Sequence, residues 1–270
     1  MTRGIRLIAD DYGLSPGVSD AILDLIQRGR LSGTGCMTAF PEWPDHAARI
    51  RHLRTVIGLH LTLTDQPAAT GASSLAPAGT LPPLSRLALP FKRAGVDEAD
   101  IHSELDVQLA RFVDAIGHEP DFIDGHQHVH FLPVVRKWLS AHTWRQRPVL
   151  RGAPRYETAL SRTALKIAAI AGLATSFDAA MQKAGFQLWS PLAGIYDWQN
   201  PAAFAPTMDK AVKSLPESSV FMCHPGHVDE ILKARDPMLT VREAEYRYLA
   251  SDVFGDLLAR SGVHVVNQPT

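Results

Sequence analysis

Four short stretches of this sequence combine acidic residues and histidines in a way that could bind a metal ion. They are Ala9–Gly13, Gly58–Thr62, Asp124–His130 and Cys223–His227. Carboxylate and neutral imidazole are side chains that hold divalent cations in proteins. Each stretch follows an apolar run typical of a β-strand, so these groups are expected to meet where parallel strands end. The pattern predicts a metal-dependent hydrolase.

Asp10 and Asp11 are adjacent and come at the end of the first predicted strand, before a turn that contains glycine. In a continuing strand their side chains would point to opposite faces, but a chain that leaves the sheet can direct both into one cavity. One carboxylate could then bind the metal while its neighbour takes a proton from the attacking water. The alternative is that the pair only caps a turn or the following helix.

Histidine and aspartate in the next two stretches supply further candidates. His60 lies in an apolar run without another charged side chain, so it is either hydrogen-bonded in the core or bound to a ligand. His126, His128 and His130 alternate, and in extended backbone all three would project to one side together with Asp124. A helix that starts soon afterwards would break the alternation, so we expect one or two of these imidazoles to reach the metal.

Supporting and proton-transfer roles are assigned to the remaining groups. Asp124 is able to fix the tautomer of an imidazole by accepting its second N–H, and His128 is expected in a similar supporting position. His224 or His227 of the fourth stretch, or His128 of the third, could protonate a leaving group. The alternative for the fourth stretch is a loop histidine that caps the sheet. Cys223 is expected to be a small buried residue at the end of a strand.

Composition and charge narrow the class of protein. The chain has 270 residues, 46% of them hydrophobic, and a formal net charge of −1, which gives no reason to expect nucleic acid or a membrane as a partner. Two cysteines and the lack of a signal-peptide pattern favour a cytoplasmic protein. The most apolar helical stretch, Leu165–Thr175, is too short to cross a bilayer.

Strand-like and helix-like patterns alternate along the chain, which favours a single α/β barrel of seven or eight strands over residues 1–270. An open, doubly wound sheet is the second choice. The segment 64–95, rich in Pro, Ala, Gly and Ser, is predicted to be a lid-like insertion. The predicted strands are Ile5–Ala9, Thr34–Phe40, Val56–Leu63, Asp121–Gly125, Val149–Leu150, Leu188–Tyr196, Ser219–Cys223 and Val263–Val266. Helices are predicted after Ser15 and Pro41 and over Asp97–Ile116, Leu132–Ala141, Thr158–Ala184, Pro201–Leu215 and Val241–Ser261.

The four stretches, in this order and spacing, resemble the signature blocks of the YdjC-like carbohydrate deacetylase family, whose best-known members are chitooligosaccharide deacetylases. The likeness covers nearly the whole chain and continues from Val228 to Glu245. It implies a distorted barrel of the glycoside hydrolase/deacetylase type, a small carbohydrate substrate and hydrolysis of an N-acetyl group. It also implies a divalent metal, Mg²⁺ first, although zinc, manganese, cobalt or nickel would suit the same ligands.

The resemblance also implies roles for individual residues. Asp11, His60 and His126 match the metal ligands of the family, and Asp10 matches the general base. His224 matches the histidine of the last block, with a general-acid role.

Further expectations concern the substrate and the assembly. Arg151, together with Trp189 or Trp198, is expected to contact the sugar. The oligomeric state is left open by the sequence, although barrels of this kind often pair as homodimers. The chain departs from the family pattern at Ile8 and Gly125, where Asn and Ser are common, and at Gln127, where some members have His.

Two other classes of protein use similar features. Two imidazoles and one carboxylate also form the iron site of non-haem oxygenases, although that site typically comes from a His-x-Asp pair on a jelly-roll strand, and nothing here resembles such a strand. A non-catalytic sugar-binding barrel is the other alternative, and the intact Asp10–Asp11 pair argues against it. The sequence leaves open which acetylated compound would be the substrate.

Overall fold

A computed structural model describes residues 2–87, 95–154, 168 and 170–267. Eight strands form one parallel sheet with the order β7-β6-β5-β4-β3-β2-β9-β8, and β1 and β10 form a separate parallel pair. The strands are β1 (Arg3–Ile5), β2 (Leu7–Tyr12), β3 (Gly33–Cys36), β4 (Val56–Leu61), β5 (Phe122–Gly125), β6 (Val149–Arg151), β7 (Leu188–Trp189), β8 (Leu192–Ala193), β9 (Val220–Cys223) and β10 (Val263–Val265).

The sheet curves until its two edges almost meet. β7 and β8 are separated by two residues, and β7 pairs with β6 while β8 pairs with β9. Beyond β6, the backbone N–H of Leu192 donates to the carbonyl oxygen of Ala153 at 3.0 Å, next to a bridge between Pro154 and Leu192. The interrupted strand β7–β8 therefore nearly closes the barrel. The prediction of a distorted α/β barrel with seven or eight strands is confirmed.

Helices follow most of the strands, as expected for right-handed strand–helix–strand units. The α-helices among the described residues are Pro16–Gln27, Trp43–Ile50, Leu84–Leu87, Glu98–Ile116, Pro133–Ala141, Phe177–Lys183, Phe204–Ser214, Glu230–Arg235, Thr240–Ala250 and Asp252–Ser261, with 3₁₀ segments at His126–Phe131 and Pro201–Ala203. Part of the predicted helix Thr158–Ala184 lies outside the described residues. No helix in the described part of the chain is long and apolar enough to span a membrane.

Several boundaries differ from the prediction for local reasons. The predicted first strand is two strands, because the chain leaves the β1–β10 pair at Arg6 before it enters the main sheet. The predicted helix Val241–Ser261 is broken at Ser251, whose hydroxyl oxygen accepts a hydrogen bond from the N–H of Phe254 and so starts a second helix. The short helix Glu230–Arg235 was not predicted.

The segment after β4 is held to the long helix by buried polar contacts. Glu104 is fully buried, and its carboxylate accepts hydrogen bonds from the N–H groups of Ala69 and Thr70, each at 2.9 Å. Gln108 binds the backbone of Thr62 in the same way, through its side-chain oxygen at 2.9 Å and its side-chain nitrogen at 2.6 Å. Residues 88–94 of the predicted lid lie outside the described residues. The described part packs as a wall beside the carboxyl ends of the strands.

Close packing between β4 and β5 generates a testable prediction about stability. A Cβ atom on Gly58 would lie 2.3 Å from the ring of Phe122, which is fully buried. Gly58→Ala is therefore expected to lower the unfolding free energy by about 1–3 kcal/mol through overpacking. Gly172→Ala is the control, since no described atom lies within 4 Å of a Cβ at that helical position. Urea denaturation should separate the two variants, and equal stabilities would contradict the predicted packing.

Candidate active site

The paired aspartates lie where β2 departs from regular pairing. The register between β2 and β3 shifts between Ala9 and Tyr12, and Asp11 has φ of +72°. A non-glycine residue in this left-handed region is uncommon and marks local strain. Because of this bulge, the side chains of Asp10 and Asp11 contact two neighbouring groups of residues at the carboxyl ends of the strands, which form the mouth of the barrel. Both side chains are buried, with 3% and 1% of their surface exposed.

Asp11 lies between two imidazoles and one guanidinium. Its Oδ1 atom lies 3.3 Å from Nε2 of His60 and 3.1 Å from Nδ1 of His126. Its Oδ2 atom accepts a hydrogen bond of 2.6 Å from Arg242, which also binds Asp236 at 2.7 Å. Burial alone would raise the pKa of Asp11, but the charge of Arg242 lowers this pKa well below its usual value. The carboxylate is therefore ionised and held in one orientation.

His60 is oriented by a carboxylate on the neighbouring strand. The register of β4 and β5 places His60 beside Asp124, and Nδ1 of His60 lies 2.6 Å from Oδ1 of Asp124. A carboxylate that accepts the Nδ1–H leaves Nε2 facing Asp11. Gly35 on β3 makes room for this pair, because a Cβ there would lie 3.2 Å from both residues. Although burial favours the neutral ring, Asp124 and Asp10 raise the pKa of His60 to about 10.

The three alternating histidines do not project to one side, because the backbone after β5 is not extended. The chain turns into a 3₁₀ segment directly after β5, and Gln127 and His128 have φ values of 50° and 61°. His126 thereby reaches Asp11, while His128 and His130 are buried behind it. Burial lowers the pKa of His128 to about 3 and the pKa of His130 well below its usual value. His126 is the one ligand candidate of this stretch at the Asp11 carboxylate.

Asp10 is bound by a buried arginine. Two nitrogens of Arg151 donate to the two carboxylate oxygens of Asp10, at 2.6 and 2.7 Å, and the guanidinium also lies 2.5 Å from Asp124. Burial would raise the pKa of Asp10, but Arg151 lowers it to about 2. Arg151, for which we predicted contacts with the sugar, is fully buried and faces these two carboxylates instead.

His224 lies on the other side of Asp10, directly after β9. Its Nε2 atom lies 3.8 Å from Oδ2 of Asp10, and the Trp198 ring packs against it with a centroid distance of 5.2 Å. Burial lowers the pKa of His224 to about 4. His227 is 41% exposed at its side chain and contacts Glu243 and Tyr246 instead. Trp198, one of the two tryptophans predicted to contact the sugar, thus lies at the mouth of the barrel beside His224.

Trp189 does not lie with these groups, since its ring packs against the Arg6 guanidinium, 4.6 Å from the ring centre. It belongs to β7, and its indole ring packs against Phe122 with a centroid distance of 5.0 Å.

The helix Thr240–Ala250 contributes two buried groups for which the sequence analysis assigned no role. Arg242 holds Asp11, and Glu245 accepts hydrogen bonds from the Tyr196 hydroxyl and from the backbone N–H of His224. Both side chains are fully buried. Charged residues are common on the exposed faces of helices, so the signal of these two residues in the sequence is weak. Asp11 is 231 residues away from Arg242, and Tyr196 and His224 are 49 and 21 residues away from Glu245.

The donor set fits a divalent cation at one position. Among the described residues, Asp11, His60 and His126 offer ligand atoms that all lie within 4.8 Å of one another. Magnesium prefers oxygen ligands, so one carboxylate oxygen and two imidazole nitrogens suit manganese, cobalt, nickel or zinc better. Water molecules can fill the remaining coordination positions of any of these ions. A second group, Asp10, His60 and Asp124, shares His60, and both of its carboxylates already contact Arg151. The first group is the better cation site.

Comparisons with known proteins agree on one family. The sequence model of the family described as YdjC-like protein matches residues 5–260. A carbohydrate deacetylase of Halalkalibacterium halodurans is 25% identical over 251 residues, which cover 89% of this chain and 92% of the relative. A chitooligosaccharide deacetylase of Serratia marcescens is 30% identical over 240 residues, with 85% of this chain and 84% of the relative covered.

A solved structure has the same fold. The crystal structure of an Enterococcus faecalis V583 protein, provisionally described as a cellobiose-phosphate cleavage protein, superposes with a TM-score of 0.72. It is 22% identical, and the alignment covers 99% of this chain and 98% of that chain. At this identity the likeness concerns the fold alone.

The turn that carries His126 generates a prediction about metal affinity. The side-chain nitrogen of Gln127 donates to Asp65 at 2.9 Å, and both residues have positive φ. We expect this bond to hold the turn in its strained conformation. Gln127→Ala and Asp65→Ala should each weaken metal binding, and the double variant should be no weaker than either one, with a coupling of about 0.5–1.5 kcal/mol.

Isothermal titration of the metal-free protein with Mn²⁺ measures this double-mutant cycle. Lys213→Ala is the control, because it removes a comparable bond, 2.6 Å to Asp209, on a helix outside the site. Simple additivity of the two single effects would show that the bond does not position His126.

Glu245 generates a prediction about pH. Burial raises the pKa of Glu245 from 4.5 to about 7, despite the hydrogen bonds from Tyr196 and His224. Between about pH 4.5 and 7 the folded protein thus holds more protons at this carboxyl than the unfolded chain does. Its contribution to stability is therefore present at low pH and is lost as the pH rises through this window, by on the order of 3 kcal/mol.

The variant Glu245→Gln cannot titrate and should lack this loss. Urea denaturation at about pH 5 and pH 7.5 should show the natural protein losing stability relative to Glu245→Gln as the pH rises. Effects of other groups, including Asp10 and Asp11, are shared by both proteins and cancel in the difference. The same pH dependence in both would mean that Glu245 is already ionised in the folded protein below neutral pH.

Proposed function

The chain belongs to the YdjC-like protein family, and from that premise we propose that it is a metal-dependent hydrolase that removes the N-acetyl group from an amino sugar or oligosaccharide. The carrying observation is the convergence of Asp11, His60 and His126 next to an independently held carboxylate, Asp10. The names of the two relatives, carbohydrate deacetylase and chitooligosaccharide deacetylase, support a carbohydrate substrate. The single barrel, residues 1–270, would be the catalytic domain.

Hydrolysis of an acetamide needs three things from an enzyme. A water molecule has to lose a proton as it attacks, the negative charge that develops on the carbonyl oxygen has to be stabilised, and the departing amine has to gain a proton. Asp11, His60 and His126 would hold the divalent cation. When bound, such a cation lowers the pKa of a water molecule and polarises a carbonyl group. The resemblance implies Mg²⁺, but two imidazole ligands favour manganese, cobalt, nickel or zinc, so the proposed ion is one of these transition metals, with Mg²⁺ as the alternative.

Asp10 is proposed as the general base. Its low pKa keeps it ionised at neutral pH, and the paired hydrogen bonds from Arg151 fix the plane of its carboxylate. Each oxygen retains a lone pair, so the carboxylate can still accept a proton from water. Arg151 would act through Asp10 as a positioning residue.

His224 is proposed as the general acid. Burial keeps its imidazole neutral at neutral pH, so it has to gain a proton before it can donate one to the amine. Asp10 lies 3.8 Å from Nε2 and would hold a proton once it has accepted one from the water. In this scheme the proton passes from the water to Asp10, from Asp10 to Nε2 of His224, and from His224 to the departing amine, so that none is gained or lost. Trp198 and the wall formed by residues 64–87 would border the sugar.

Asp10→Asn tests the assignment of the base. The variant should lower acetate release from N-acetylated chitooligosaccharides by about 10²–10⁴-fold, because the amide cannot take the proton of the water. Its affinity for Mn²⁺, measured by isothermal titration, should change little, because Asp10 is outside the proposed ligand set. His60→Ala is the matched variant, and it should lose both acetate release and metal affinity.

The chelator arm of the same assay tests metal dependence. EDTA should abolish acetate release from the natural protein, and added divalent metal should restore it. Unchanged turnover in Asp10→Asn would remove Asp10 from the mechanism. Turnover that survives complete metal removal, or acetate release from none of a broad panel of N-acetylated sugars, would overturn the proposed function.

A further inference from the structure

A second pocket lies at the opposite end of the barrel from the aspartates. Its volume is about 470 Å³, and Arg6, Trp189, Glu217 and His264 are among the residues that line it. Arg6 precedes β2 and Glu217 precedes β9, so the pocket opens at the amino ends of the strands. Arg6 and Asp10 are four residues apart along the chain, a separation of roughly 13 Å in an extended strand.

Arg6 differs from the other deeply buried arginines in its partners. Arg151 and Arg242 are fully buried, and each contacts two carboxylates. Arg6 is only 5% exposed, yet among the described residues no carboxylate forms an ion pair with it. Its guanidinium donates one hydrogen bond of 3.3 Å to the backbone oxygen of Glu217 and lies 4.6 Å from the centre of the Trp189 ring. The positive charge of Arg6 is thus buried without a counter-charge from the described residues.

Two N–H donors beside the pocket also lack partners. Within the described part of the chain, neither Nε of Arg6 nor Nε1 of Trp189 has a hydrogen-bond acceptor. Buried donors without acceptors destabilise a folded protein, and a buried charge without compensation does so more strongly. Burial, with no carboxylate to offset it, lowers the pKa of Arg6. A negatively charged group in the pocket, against the guanidinium, would supply the counter-charge.

We propose that this basal pocket binds a small oxyanion, a phosphate or carboxylate group, with Arg6 as its principal ligand-binding residue. A guanidinium presents N–H groups in a planar fork that matches both kinds of group. This site is separate from the proposed deacetylase site and does not depend on that proposed function.

The charges around the pocket constrain how an anion would sit. Glu217 is exposed at the rim, and its carboxylate accepts a hydrogen bond of 3.0 Å from the N–H of Gly4. This carboxylate opposes an anion near the rim and favours one close to the buried guanidinium. His264 is exposed and lies on β10. The ligand is therefore expected to be small and to carry its negative group at the inner end.

Variants of Arg6 and Glu217 give opposite expected effects. The affinity for inorganic phosphate, and separately for malonate, is measured by isothermal titration and by thermal shift at an ionic strength held constant with NaCl. Arg6→Met should weaken binding at least about tenfold, and Arg6→Lys should bind with intermediate affinity. Glu217→Gln should bind about two- to threefold more tightly, because it keeps the oxygen that faces Gly4 but loses the opposing charge.

Arg30→Met is the matched control, since Arg30 also lies over an aromatic ring, Phe254, at 5.8 Å, but outside this pocket. It should bind as the natural protein does.

Phosphate bound at the metal site would shift all variants equally, and an equal affinity in Arg6→Met would overturn the proposal. If Arg6→Met does not fold, the Glu217→Gln variant still decides, because no gain in affinity would contradict an anion at Arg6. Tighter binding of inorganic phosphate would indicate a phosphate ligand, and tighter binding of malonate would indicate a carboxylate ligand. If neither probe binds, the proposal is wrong.

Discussion

Two adjacent buried carboxylates can stay ionised only if each has its own source of positive charge, and this constraint organises the mouth of the barrel. Arg151 neutralises Asp10 from β6, and Arg242 neutralises Asp11 from a helix near the carboxyl terminus. The same two arginines also hold Asp124 and Asp236, so two guanidinium groups face four carboxylates. The surplus of negative charge in a site shielded from water favours a bound cation.

Local backbone strain sets the directions of the side chains within this network. Asp11, Gln127 and His128 have left-handed φ values, which cost energy for residues with a Cβ atom. Without the bulge at Asp11, neighbouring residues of β2 would face opposite sides of the sheet. Without the left-handed turn, His126 would follow its strand away from Asp11. The strain is compensated by ion pairs and hydrogen bonds that only the assembled barrel supplies.

The two ends of the barrel use buried arginine differently. At the carboxyl ends, each arginine is held between carboxylates and orients them, so its charge is balanced within the protein. At the amino ends, Arg6 packs on Trp189 beside a pocket and lacks such a balance among the described residues. Burial without a partner is the feature that separates a group available to a ligand from one that only supports its neighbours.

The sequence by itself determined the fold class and most of the residues at the mouth, because alternating apolar runs fix strands and helices and because parallel strands carry their last residues to one edge. Asp10, Asp11, His60, His126 and His224 all lie there. Only the tertiary structure decided which of three alternating histidines faces Asp11, since a left-handed turn overrides the strand period. It also decided that Arg242 and Glu245 lie inside the site and that Arg151 holds Asp10, because no local pattern in the sequence records a contact between separate elements.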